Sequence, residues 1–130
     1  MRKAQIKSSN DAYRQFMILL DEQVMNIKEE AAVLFLNRGN RVIGGYKISV
    51  GGITGTVVDI RIILGIALKC FATGIIIAHT HPSGELKPSK ADINLTEQLN
   101  LACKIMEITL HVHLTITTES YYSFEDEGLL

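Results

Sequence analysis

The chain has 130 residues, of which 47% are hydrophobic and 21% are charged, and its formal net charge at pH 7 is −1. A chain of this length can bury one sizeable core but has little material for a second, so we expect a single domain over residues 1–130. The balanced charge, without a run of lysine or arginine, lacks the phosphate-neutralising surplus of a dedicated nucleic-acid binder. Duplex DNA is therefore an unfavoured ligand.

The sequence also bears on compartment and cysteine chemistry. No apolar run approaches the length of a bilayer span, and residues 1–5 lack the apolar segment of a signal peptide, so we expect a soluble, cytoplasmic protein without a membrane partner. Cys70 and Cys103 each lie in a stretch of helical periodicity, and neither has a second cysteine at metal or redox spacing. Both are predicted to be buried thiols. No feature indicates an oligomeric state.

The first predicted elements are an amphipathic helix and a hairpin. The helix spans residues 8–27, because several residues that can cap a helix precede one apolar stripe: Ser8, Ser9, Asn10 and Asp11, then Tyr13, Phe16, Met17, Leu20, Val24 and Ile27. The hairpin has a buried strand at 31–36, a turn at 37–40 and a second extended run at 41–50. The glycine-rich stretch 51–56 lacks the lysine of a phosphate-binding loop, so a flexible turn is favoured.

The second half of the chain reads as helix, strand, helix and strand. Helical spacing predicts a helix whose apolar residues are Ile60, Ile63, Leu64, Ala67, Leu68 and Phe71, and Gly74 then precedes a buried strand at 75–79. Ser89 opens a second helix, with inward residues Ile93, Leu95, Leu99, Ala102 and Met106. Strict alternation over 108–116 predicts a half-buried strand. We expect an α/β fold in which helices flank a single mixed sheet.

A concentration of polar residues directly after the predicted buried strand indicates a metal site. His79 and His81 are two apart in an extended segment, so both side chains project to the same face. The intervening residues contain two prolines and a glycine, which lets the chain reverse and bring Asp92 back to the histidines. Two imidazoles and a carboxylate suit zinc and leave a fourth position open for water or substrate.

Two other interpretations compete with this one. Ser89 and Asp92 are spaced as in a capping box, in which the serine caps the helix and the acid complements its dipole. Taken alone, that role is the commoner one, but the nearby histidine pair favours a metal ligand. His111 and His113 repeat the His-x-His spacing; alternation places both on the exposed polar face of the last strand. The alternative is that His113 lies behind the first site as a supporting group.

The pattern His79-x-His81 with Ser89-x-x-Asp92 resembles the metal signature of the JAMM/MPN metalloprotease domain. The segment 79–84, His-Thr-His-Pro-Ser-Gly, is similar to the RadC branch, in which Thr80 is usually asparagine. Further likeness extends over most of the chain, at Leu36-Asn37, Ile48-Ser49, Gly52, Pro88, Thr96, Tyr122-Ser123-Phe124 and Glu127-Gly128-Leu129-Leu130. RadC proteins carry an added N-terminal helix-hairpin-helix region, which we do not expect in this chain, and an Asp-His pair where this chain has Val112-His113.

The resemblance implies the JAMM/MPN (cytidine-deaminase-like) architecture and metal-dependent hydrolysis of a peptide or isopeptide bond, with Zn²⁺ on His79, His81 and Asp92. It further implies a glutamate as general base, matched here to Glu29, and Ser89 as hydrogen-bond donor to the oxyanion. Glu30 would face the opposite side of the strand from Glu29, so one of the two can serve. A polypeptide or peptide-like amide is the implied substrate. A DNA-repair accessory factor and a zinc-stabilised interaction domain without catalysis are the alternatives.

Overall fold

A computed structural model describes residues 3–20, 27, 29–50 and 58–130, with the backbone alone at 49 and 50. Within these ranges the chain forms three helices and five strands. Their bounds are α1 Ser9–Leu19, β1 Glu30–Leu36, β2 Val42–Val50, α2 Ile60–Lys69, β3 Gly74–Thr80, α3 Lys90–Ile105, β4 Thr109–Ile116 and β5 Tyr121–Ser123. The predicted hairpin, the two later helices and the strands that follow them are all confirmed.

The strands form one mixed sheet in the order β2-β1-β3-β4-β5. β1 pairs antiparallel with both β2 and β3, and β5 pairs antiparallel with β4. β3 and β4 are parallel, and the crossover that parallel pairing requires is supplied by α3. The expected α/β fold with a mixed sheet and flanking helices is confirmed.

Apolar residues cover both faces of the sheet, which explains why β1 and β3 are buried along their whole length. On one face, even-numbered residues of these strands pack with α1, in a core that includes Phe16, Leu34, Ile76 and Leu114. On the other face, odd-numbered residues pack with α2 and α3, in a core that includes Val33, Phe35, Ile63, Ile77 and Leu99. Any polar side chain on an odd-numbered position of β3 therefore lies beneath α2 and α3.

Helix α1 is shorter than predicted. Ser8 caps its start, as expected, since the Ser8 hydroxyl accepts a hydrogen bond from Asp11 N at 3.2 Å. The helix ends at Leu19, because Leu20 adopts an extended backbone (φ −85°, ψ 153°). Ile27, predicted on the buried stripe, is 57% exposed. The predicted helical residues 21–26 lie outside the described part of the chain, as does the glycine-rich turn at 51–56.

The prediction of a half-buried β4 was wrong. Leu110 lies opposite Ile75, whereas Val112 lies opposite Ile76, so one extra residue forms a β-bulge between them. The bulge places Leu110 in the core beneath α2 and α3 and Val112 in the core beneath α1. Residues 112–116 are then buried on both faces. Regular alternation in the sequence concealed a strand that changes face.

Four residues expected on buried faces lie near the ends of helices and are wholly or partly exposed, among them Leu68 in the last turn of α2, which is 49% exposed. Phe71 follows α2 in the left-handed region (φ 59°) and is 86% exposed, and Met106 caps the end of α3 and is 40% exposed. Cys103 is buried as predicted, but Cys70, the residue after α2, is only partly buried. Among the described residues, no helix combines the length and the apolar character needed to cross a membrane.

Candidate metal centre

The carboxyl end of the central strand β3 carries the two predicted histidine ligands. His79 is on the odd-numbered face beneath α2 and α3, and His81 directly follows the strand, with its N–H still bonded to Ile116 O at 3.0 Å. A turn then reverses the chain: Gly84 adopts a left-handed backbone (φ 81°), and its N–H bonds to His81 O at 3.0 Å. α3 begins after this turn and brings Asp92 over the histidines.

The side chains of His79, His81 and Asp92 converge on one point. The two histidine Nε2 atoms are 2.9 Å apart, and Asp92 places Oδ1 at 3.2 Å from His79 Nε2 and Oδ2 at 3.2 Å from His81 Nε2. Ligands at about 2.0–2.1 Å from a tetrahedral ion lie roughly 3.3 Å from one another, which is close to this spacing. The described residues therefore include a His-His-Asp group that could hold a metal ion.

The distribution of protons in this group also fits a cation. His81 Nδ1 lies 2.7 Å from the carbonyl oxygen of Glu85, which can only accept, so this nitrogen must donate its hydrogen there. In the neutral ring, His81 Nε2 then presents a lone pair toward Asp92 and His79. Two electron-rich ligands facing each other at 3.2 Å need a proton or a metal ion between them.

Electrostatics within the group follow from the same contacts. Burial opposes ionisation of Asp92, but its contacts with the His79 and His81 rings, when these are protonated, and the hydrogen bond from the Ser89 N–H outweigh it and hold the pKa of this carboxyl well below its usual range. The hydrogen bond to Asp92 raises the pKa of His81, against the effect of partial burial. The carboxylate form needed of a metal ligand is thus strongly favoured.

Asp92 serves the helix and the ligand group at once. The Ser89 hydroxyl accepts from Asp92 N at 3.1 Å, while Asp92 Oδ2 accepts from Ser89 N at 2.9 Å, which completes a capping box. From the sequence alone, capping and ligation are competing interpretations of Asp92. They are compatible, because a carboxylate oxygen has two lone pairs and the box fixes the carboxylate with its remaining pairs toward the histidines.

Glu29 and Glu30 point to opposite faces, as their neighbouring positions predict. Continuing the pairing of Ala31 with His79 by two residues places Glu29 opposite His81, and Glu29 lines a cavity of about 650 Å³ together with His81, Ser89 and Asp92. Glu30 lies on the α1 side, almost fully buried, with its carboxylate 2.7 Å from Lys47 Nζ. Glu29 is therefore the member of the pair beside the candidate metal centre.

His113 was predicted to be an exposed histidine of the last strand, and this was wrong. The β4 bulge places it opposite Ile77 on the α3 side of the sheet, where it is fully buried and its Nε2 lies 2.9 Å from His79 Nδ1. Burial lowers the pKa of His113 well below its usual range, and neighbouring His79 acts in the same direction. The structure thus has His113 behind the ligand group, as the alternative interpretation held.

His111, the other histidine predicted to be exposed, is half-buried over Gly74. A Cβ atom at Gly74 would lie 2.6 Å from His111 Nε2, so the absence of a side chain there is what admits the ring. Partial burial lowers the pKa of His111, and Glu125 partly offsets this effect. No carboxylate, cysteine or histidine joins His111 in a metal-binding group among the described residues.

Comparison with known proteins agrees with this arrangement. Residues 6–129 match the RadC-like JAB domain, and the chain belongs to that family. It is 43% identical over 129 residues to a UPF0758 protein of Flavobacterium johnsoniae, covering 99% of this chain and 55% of that protein. It is also 38% identical over 130 residues to a UPF0758 protein of Porphyromonas gingivalis, covering 99% and 56%. The chain spans about half the length of these curated relatives.

Proposed function

We propose that this domain is a zinc-dependent hydrolase of peptide or isopeptide bonds. The observation that carries the proposal is the convergence of His79, His81 and Asp92 at the edge of a cavity whose wall includes Glu29. Three ligands from the chain would leave one coordination position of the ion for water or substrate, as catalytic zinc sites require. When bound there, the ion would supply a Lewis acid and lower the pKa of water toward about 7.

Glu29 is assigned the role of general base and then general acid. It directly precedes β1, opposite His81 when the strand pairing is continued, and lines the cavity together with His81 and Asp92. A carboxylate in this position can take a proton from the attacking water and return it to the leaving amine. Glu30 is unsuited to the task, since its carboxylate is on the other face of the sheet and paired with Lys47.

Ser89 is assigned the role of donor to the developing oxyanion. Its hydroxyl oxygen accepts from Asp92 N at 3.1 Å, so its hydrogen is left free to donate elsewhere. The side chain lines the same cavity as Glu29 and His81. One hydroxyl can therefore cap α3 and stabilise negative charge, and loss of such a donor typically lowers turnover about 100-fold or more.

The decisive experiment separates metal binding from catalysis. Purified wild type, His79→Ala and Asp92→Ala are compared for zinc content after exhaustive dialysis, and near-stoichiometric zinc in both variants would refute the ligand assignment. Hydrolysis is then assayed with a quenched-fluorescence peptide library and a lysine-isopeptide probe. We expect Glu29→Gln to keep zinc and lose activity, and Glu30→Gln to keep both. Activity lost only in Glu30→Gln would reassign the base, and no zinc-dependent cleavage by the wild type would refute hydrolysis.

A further inference from the structure

We infer that His113 and Thr96 form a hydrogen-bond relay that holds His79 in the tautomer with its hydrogen on Nδ1, leaving the Nε2 lone pair for the metal ion. His113 and Thr96 are thus positioning residues for the candidate metal centre. The inference builds on the proposed zinc site, but the tautomer can be observed without any metal. Three hydrogen-bond contacts that connect β3, β4 and α3 support it.

The first contact fixes the direction of the Thr96 hydroxyl. Thr96 is buried on α3, one helical turn after Asp92, and its Oγ1 lies 2.9 Å from the main-chain oxygen of Asp92. A carbonyl oxygen can only accept, so the single hydroxyl hydrogen of Thr96 is donated there. Any further partner of this oxygen must therefore be a donor.

The second contact fixes the tautomer of His113. Thr96 Oγ1 is also hydrogen-bonded to His113 Nδ1, and because its own hydrogen is already used, the histidine nitrogen must be the donor. A neutral imidazole carries a single N–H, so His113 Nε2 is left as an acceptor. The ring cannot turn away, since it stacks on Phe124 at 4.3 Å between centroids with planes 7° apart.

The third contact transmits this arrangement to the ligand. His113 Nε2, an acceptor, lies 2.9 Å from His79 Nδ1, so His79 must place its hydrogen on Nδ1. His79 Nε2 then faces His81 and Asp92 with a free lone pair. For His81 the same outcome comes directly from the backbone, through the bond to Glu85 O. Both histidines are consequently prepared as metal ligands by their Nδ1 partners.

The relay also closes a loop through the ligand group. It begins at His79, passes through His113 and Thr96 to the backbone of Asp92, and returns from the Asp92 carboxylate to His79. The ligand on β3 and the ligand on α3 are therefore tied together through His113 on β4. Partners of this kind typically change metal affinity by about 10–100-fold when removed.

The test uses Zn²⁺ itself, with affinity measured by competition against a chromophoric chelator. We expect Thr96→Val, which keeps the shape and removes the hydroxyl, to weaken zinc binding about 10–100-fold. Thr96→Ser restores the hydroxyl and should bind within a few-fold of the wild type. Thr115→Val is the matched control. Like Thr96, Thr115 is buried; it lies on β4 opposite His79, but its hydroxyl has no hydrogen-bond partner within the described residues. Equal affinities for Thr96→Val and Thr96→Ser would overturn the inference.

The tautomer provides the second readout. Long-range ¹H–¹⁵N correlation spectra of metal-free, ¹⁵N-histidine-labelled wild type at alkaline pH report which ring nitrogen carries the hydrogen, with His79→Gln and His113→Gln assigning the signals. We expect Nδ1–H for both residues. Nε2–H at His79 would overturn the inference, even if Thr96→Val failed to fold. A wild type that binds no zinc would refute the proposed function, while the spectra would still decide the relay.

Discussion

The double role of Asp92 leads to a prediction in which helix capping and metal binding are measured separately. In metal-free protein, Asp92→Ala removes the acceptor for Ser89 N and should lower the free energy of unfolding by about 1 kcal/mol. Asp92→Glu should change it by less than about 0.5 kcal/mol, because glutamate is the usual acid at this position of a capping box. Neither effect involves a metal ion.

With zinc present, the two variants should behave alike. Zinc at about 1,000 times its dissociation constant would stabilise the wild type by roughly 4 kcal/mol, a rise in Tm of roughly 10–20 °C for a domain of this size. The extra methylene of Asp92→Glu moves the carboxylate by about 1.5 Å, far beyond the ~0.2 Å tolerance of a ligand distance. Both variants should therefore lose most of the zinc-dependent rise.

The assay is thermal unfolding followed by circular dichroism, in EDTA and in excess Zn²⁺. Asp11 supplies the matched control, since it occupies the same position after the cap of α1, where its carboxylate accepts from Lys7 N at 2.9 Å. Asp11→Ala should reproduce the capping loss and keep the full response to zinc. A full zinc response in Asp92→Glu would refute the ligand role, and an unchanged metal-free stability of Asp92→Ala would refute the capping role.

Three further outcomes are expected. Gly74→Ala should destabilise the domain by about 1–3 kcal/mol, because the new Cβ would collide with the His111 ring. The double variant Gly74→Ala with His111→Ala should recover most of this loss, and additive effects of the two substitutions in urea unfolding would contradict the contact. Because the pKa of His111 is lowered in the folded state, the unfolded state binds more protons below about pH 6.5, and the free energy of unfolding should decrease as the pH is lowered through this range. The decrease should be smaller in His111→Gln, and equal pH dependences in urea unfolding would exclude this contribution. Burial raises the pKa of Cys103 to about 11, so a thiol reagent added to the folded protein should modify partly exposed Cys70 first. Equal rates of modification of the two cysteines, measured by mass spectrometry, would contradict the burial of Cys103.

The sequence predicted four of the five strands, all but β5, and the convergence of His79, His81 and Asp92, because these depend on local patterns. The run 31–36 is apolar at every position, as a strand covered on both faces must be, and His79 and His81 share a face through strand geometry alone. Asp92 could be assigned to the same group because the turn after β3 reverses the chain and brings the start of α3 back to the histidines. Asp92 lies in the first turn of α3, and this one position allows it both to complete the capping box with Ser89 and to approach the two histidines.

The features that the sequence did not predict arise from contacts between distant elements. His113 and Leu110 appear on opposite sides of an alternating strand, and the β4 bulge, which no local signal marks, moves them to the same side. The end of α1 at Leu19 likewise goes with a tertiary contact, since the extended residue Leu20 is buried in the core beneath α1. A usable signal for His113 did exist: once both faces of the central strands are assigned to helices, no exposed face remains for a histidine on β4.

The bulge therefore connects the fold with the candidate chemistry. If β4 continued in unbroken register from Leu110, position 113 would face α1, and His79 would have an apolar residue behind it in place of an imidazole acceptor. With one extra residue in β4, position 113 faces α3 instead, and His79 Nδ1 lies within hydrogen-bond distance of His113 Nε2, at 2.9 Å. Deletion of His111, the inserted residue, would leave Leu110 opposite Ile75 and His113 opposite Ile77, so the deletion variant and His111→Ala should both keep the wild-type zinc affinity. A zinc affinity that is weakened by the deletion but not by His111→Ala, measured by chelator competition, would contradict this assignment of the register.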